Sequence, residues 1–109
     1  MDEMVILYTT WPDADTAERA AREVVEAGLA ACANILPPAT SIYRWKGKVE
    51  RAGEVVMILK TGTARAPELR DRLAELHPYE IPAIVAIPIL TPASWSPFLL
   101  WIEDETARG

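Results

Sequence analysis

An α+β domain is predicted for this chain, a ferredoxin-like βαββαβ sandwich with both helices on one face of an antiparallel sheet. Three observations carry that expectation. Several short apolar runs have the length and β-branched content of strands, two other stretches repeat small or apolar residues at helical spacing, and the two kinds alternate in the order that fold requires. At 109 residues, 50% of them apolar, the chain is long enough to bury about two-thirds of its unfolded surface. Residues 1–109 therefore read as a single domain.

The first strand is residues 4–10, closed by Trp11-Pro12-Asp13. In the helix that follows, Asp15 stands as N-cap with Glu18 three residues on, and Ala17, Ala20, Ala21, Val24 and Val25 share one face. Gly28 supplies the C-terminal stop. Because that face is mostly alanine, the helix can lie close to a sheet. Residues 29–36 form a second apolar run, broken by Pro37-Pro38. From Thr40 to Trp45 the residues alternate with period two toward the turn Lys46-Gly47-Lys48, which predicts a long hairpin. Its return arm starts with Glu50-Arg51 and becomes apolar over residues 54–60, a central strand covered on both faces. Pro67 opens a second helix, with Ala66, Leu69, Leu73 and Leu76 on one face, and His77-Pro78 ends it. Residues 83–87, between Pro82 and Pro88, suit an edge strand, and residues 94–106 a terminal helix. With both crossover helices on one side, the apolar residues of the other face call for an oligomer.

Composition narrows the function. Eleven basic residues against 16 acidic ones give a formal charge of −5, with no basic patch for nucleic acid or an anionic membrane. The longest apolar run, residues 81–90, contains two prolines and falls short of the roughly 18 to 20 residues of a spanning helix. Asp2 and Glu3 stand where a secretory signal carries cations, so a cytoplasmic location is expected. The single Cys32 forms no internal disulfide, and with the single His77 it cannot complete a structural zinc site in one protomer. No phosphate loop, nucleophile elbow or metalloprotease motif is present.

The remaining candidates each carry two readings. Cys32, among small apolar residues, is a structural thiol or a soft ligand. His77, at a helix end, is a hydrogen-bonded structural histidine or the strongest single metal-ligand candidate. Glu54 and Lys60 share one strand face and make either a charge pair across a subunit contact or part of a binding site. Tyr43 and Trp45 pack or form a platform, while Glu80, beside Tyr79 in a loop, is a ligand or a solvated acid. Cys32 as nucleophile with His77 as base would make an enzyme, but no oxyanion donor is evident.

Five segments occur in order: Leu29-Ala-Ala-Cys32-Ala-Asn-Ile35, Ser41-Ile-Tyr43-Arg-Trp45-Lys-Gly47, Glu54 with Lys60-Thr61, His77-Pro-Tyr79-Glu80-x-Pro82 and Phe98-Leu-x-Trp101-Ile102. Together they resemble the CutA divalent-cation tolerance family. The resemblance implies a tight homotrimer, related in architecture to the PII signalling trimers and linked to copper (Cu2+) and other divalent cations. It implies no enzymatic activity and no cofactor for folding. Carried over by position, it assigns His77, Cys32, Glu54 and Glu80 to metal, and Tyr43, Trp45, Lys60 and Tyr79 to a small ligand, around a cleft between subunits. A signalling or scaffold trimer that binds a small anion or protein partner through Lys60, His77 and Tyr79 is the alternative. Thr9 and Leu76 stand where some members of the family have a further Cys and His, and Phe98 where Tyr is more usual.

Overall fold

The computed structural model describes residues 3–107. The elements run β1 (Met4–Trp11), α1 (Ala14–Glu26), β2 (Cys32–Ile35), β3 (Ala39–Trp45), β4 (Lys48–Gly62), α2 (Ala66–Leu76), β5 (Ile84–Pro88), a 3-10 turn at Thr91–Ala93 and α3 (Ser96–Thr106). The sheet is antiparallel, in the order β2-β4-β1-β5, with β3 continuing alongside β4. This is the expected α+β architecture, and β5 lies at an edge as its flanking prolines suggested.

Strand alternation sorts the apolar residues between two faces. Val5, Leu7, Thr9 and Trp11 of β1 and Val55, Met57 and Leu59 of β4 are buried, and they pack with the Ala17, Ala20, Ala21 and Val24 face of α1 and with Leu69 and Leu73 of α2. The opposite face carries Ile6, Tyr8, Ile58, Val85 and Ile87. Helix α3 covers only one end of it, where Leu99 and Ile102 enclose Met4 and Ala31. Over residues 54–60 the central strand is thus covered on one face and not, within one chain, on both; Val85 is 53% and Ile87 45% exposed.

The N-cap of α1 is Asp13 and not Asp15: the Asp13 carboxylate accepts from the Thr16 backbone N–H at 2.7 Å. Glu18 turns outward to Arg22. Pro12 and an extended Asp13 place the cap two residues earlier than the Asp15-to-Glu18 spacing suggested. The Thr16 N–H and hydroxyl hold the Asp13 carboxyl below its usual 3.8. The carboxylate form is the one folding favours, so the cap is fully effective above that range and is lost as the pH falls through it. Asp13→Ala is expected to lower the melting temperature at neutral pH, with a deficit that shrinks below about pH 4; calorimetry at both pH values checks this. At its other end, α1 closes with Leu29 N–H on the Val24 carbonyl and Gly28 N–H on that of Val25, a geometry that needs the φ of +73° at Gly28.

Strands β2 and β3 run along the same partner but not in one register. Pairing proceeds from Cys32 with Lys60 to Ile35 with Met57, and resumes from Ala39 with Glu54 to Trp45 with Lys48. Four steps on one side, from Ile35 to Ala39, face three on the other, from Met57 to Glu54. The extra residue is a bulge at Pro37-Pro38, where proline costs no ladder bond. The hairpin then closes through Lys46 (φ 50°) and Gly47 (φ 80°), both left-handed as a two-residue turn of this twist requires.

Candidate functional site

A cleft of about 690 Å³ opens where the hairpin, the end of β1 and the segment after α2 converge. Each wall has a local cause. Odd-numbered residues of β3 share a face with Glu54 through their register, which brings Ser41, Tyr43 and Trp45 to one wall. Thr10 closes the floor from β1. The third wall is Pro78, Tyr79, Glu80 and Ile81, in the segment that leaves α2 when His77 takes an extended conformation.

His77 anchors that segment. It is 7% exposed, stacks on Trp11 with ring centroids 4.2 Å apart, and lies 4.7 Å from the Tyr79 ring. Its Nε2 is 2.7 Å from the Thr10 carbonyl oxygen, and its Nδ1 accepts from the Tyr79 backbone N–H at 3.1 Å. A carbonyl only accepts and a backbone N–H only donates, so Nε2 carries the hydrogen and Nδ1 offers its lone pair to Tyr79. Both ring nitrogens are engaged. The structure thus gives His77 the role of a positioning residue for Tyr79, with no lone pair left for a metal.

Glu54 is the polar centre of the cleft. It is 8% exposed and forms no ion pair among the described residues. Burial, and then the charge and hydrogen-bonding capacity of the adjacent Glu54 carboxylate, push the Tyr79 phenol above its usual range. Glu80 lines the same cleft. Two carboxylates, two phenols and an indole therefore converge there, with no Lys, Arg or His in the lining.

The other sequence candidates lie elsewhere. Lys60 shares the face of Glu54, as the six-residue spacing required, but six residues of extended strand span about 20 Å. Its ammonium donates to Asn34 Oδ1 at 2.6 Å, lies 3.8 Å from Cys32 Sγ and stands 6.0 Å from the Phe98 ring centroid. Cys32 and Lys60 thus belong to a separate group beside α3. Cys32 is half-buried and not enclosed in a strand interior. No group of three or more His, Cys, Asp or Glu placed to hold a metal ion occurs among the described residues, so one chain does not gather His77, Cys32, Glu54 and Glu80. Nor does it form a Cys32–His77 dyad. Thr10, Ser41 and Ile81 were not singled out from the sequence; strand parity from Tyr43 would have found Ser41, whereas Thr10 and Ile81 arrive only through the folded path of the chain.

Comparison with known proteins gives the architecture its relatives. Residues 5–105 match the profile of the CutA1 divalent ion tolerance proteins. The divalent-cation tolerance protein CutA of Thermus thermophilus is 42% identical over 106 residues, 97% of this chain and 99% of that protein. Human protein CutA is 41% identical over 99 residues, 91% of this chain but 54% of that protein, so the chain spans about half the length of that relative. Among solved structures, CutA1 of the psychrotrophic bacterium Shewanella sp. SIB1 superposes with a TM-score of 0.92 at 38% identity, covering 98% of each chain. The periplasmic divalent cation tolerance protein CutA of Archaeoglobus fulgidus gives 0.89 at 40% identity, with 94% of this chain and 98% of that one covered. Shared profile, identity along almost the whole length and a common fold together place this chain in the CutA1 divalent ion tolerance family.

Proposed function

We propose that this chain acts in divalent-cation tolerance as a homotrimer that binds cations at the Glu54–Glu80 cleft, as a binding protein and not an enzyme. One observation carries the reading: Glu54 is a nearly buried carboxylate, facing a cleft that holds a second carboxylate and no cationic side chain. A buried carboxylate without a counter-ion is costly, and a bound cation relieves that cost. The same feature disfavours the small-anion alternative. Lys60 lies about 20 Å along the strand, and His77 already has both nitrogens engaged.

Glu54 and Glu80 fit a divalent ion as oxygen donors, with water or a neighbouring subunit completing its shell. Oxygen donors select weakly among the divalent ions, and copper heads the usual affinity order, so Cu2+ is the first ion to test. The trimer is supported by the apolar sheet face left open around Val85 and Ile87. No helix among the described residues is long and apolar enough to cross a membrane.

Calorimetric titration of Cu2+, and of Zn2+ and Mn2+ for comparison, into chelator-stripped protein of known oligomeric mass tests the site. Saturable binding that weakens about tenfold or more in Glu54→Gln, and changes little in Cys32→Ala, is the expected result. Binding no tighter than millimolar, or unchanged by Glu54→Gln, overturns it.

A further inference from the structure

The cleft is larger and more aromatic than a metal ion needs. A hydrated divalent ion is seated by oxygen atoms, yet Tyr43, Trp45 and Tyr79 present aromatic rings around Glu54 and Glu80, each 37 to 43% exposed. A volume of about 690 Å³ falls in the range of pockets that enclose small organic molecules. From these rings, the two carboxylates and the absence of any cationic lining residue, we infer that the cleft binds an organic cation whose charge is spread over alkyl groups, an alkylated ammonium.

The chemistry is complementary on three counts. An alkylated ammonium cannot donate strong hydrogen bonds once its hydrogens are replaced, so it loses little by leaving water for a ring face, and the ring quadrupole attracts its charge. Its methyl groups match the apolar part of the lining that Ile81 supplies. Its charge answers Glu54, which is more than nine-tenths buried and finds no ion pair among the described residues. The Lys46 ammonium lies 5.8 Å from the Trp45 ring centroid, a cation–π contact on the same ring. A free anion has no such partner here, because the lining offers carboxylates and aromatic faces.

This inference rests on the reading of the cleft as a cation site but names a different occupant, and the test separates the two. Choline serves as the probe and its neutral carbon isostere, dimethylbutanol, as the control, both titrated into the intact protein by calorimetry and by tryptophan fluorescence. The expected result is saturable choline binding at least tenfold tighter than that of the isostere. Glu54→Gln is expected to weaken it about tenfold or more, and Tyr43→Leu, which removes a ring and leaves the carboxylates, several-fold. Because the two variants differ in what they remove, a folding defect in one does not decide the outcome. Equal binding of choline and the isostere would reduce the cleft to an apolar groove and overturn the inference. So would a protein that titrates with Cu2+ through Glu54 but not with choline, which leaves the metal reading standing. Choline binding without any metal binding would have the reverse meaning.

Discussion

Trp11→Ala is expected to destabilise the fold by about 3 to 5 kcal/mol, the upper range for loss of a large buried side chain. Trp11 is fully buried, and its indole N–H donates to Thr9 Oγ1 at 2.7 Å, while that hydroxyl donates to the Met57 carbonyl at 2.8 Å. Truncation empties the space between α2 and the end of β1, and it removes the surface on which His77 stacks. The second effect reaches the cleft. With the imidazole unsupported, its bond to the Tyr79 N–H loosens and so does the wall that carries Tyr79 and Glu80. Denaturant midpoints at one fixed protein concentration measure the first consequence, since any assembly couples stability to concentration. Trp11→Phe separates the two, because it keeps an aromatic face for His77 and forfeits the hydrogen bond, worth about 1 kcal/mol, together with the volume by which an indole exceeds a phenyl ring. A Trp11→Ala protein with an unchanged midpoint would show that the end of the sheet is not held in this way.

The double variant Val85→Asp, Ile87→Asp is expected to break assembly while leaving each chain folded. Both side chains are about half exposed on β5, so the change disturbs little of the single-chain core. In a trimer that covers this face, each carboxylate would lose its water for an apolar contact, at several kcal/mol per charge. With 1.4 kcal/mol for each factor of ten, two such charges weaken association by about a thousandfold or more. Sedimentation equilibrium should then show one chain for the variant, against the three expected of the parent if it assembles as proposed. A variant that stays trimeric would mean that the open face is not where the subunits meet.

The order of elements was legible because each carries its own punctuation. Gly28 ends α1 and His77-Pro78 ends α2 through backbone restrictions that act locally, whatever the rest of the chain does. The cap at Asp13 was read two residues late, since Asp13 and Asp15 offer the same acceptor and only the extended backbone at Asp13 chooses between them. The full 15 residues of β4 were not legible either: its polar first third has no buried face to impose alternation, and it is a strand because β3 pairs with it. The site divided in the same way. Tyr43, Trp45, Glu54, Tyr79 and Glu80 were all singled out and converge on one cleft, but periodicity reports a shared face and not proximity. Lys60 shares the face of Glu54 yet lies about 20 Å along the strand, so one chain does not bring the two together, and Cys32, opposite Lys60 across β2 and β4, lies with it. The engagement of His77 Nε2 depends on Thr10, 67 positions away in sequence, and no local pattern carries that information.

The bulge at Pro37-Pro38 separates two registers along one partner strand. Before it, even-numbered residues of β2 sit opposite even-numbered residues of β4; after it, odd-numbered residues do. The second register is set by the two-residue turn at Lys46-Gly47, so Tyr43 and Trp45 keep the face of Glu54 whatever the length of the connection at Pro37-Pro38. Among descendants of such a chain, that connection is thus free to change length without disturbing the aromatic wall, whereas a one-residue slip of register in the hairpin would turn Ile42 and Arg44 to the Glu54 side and set a guanidinium against the carboxylate.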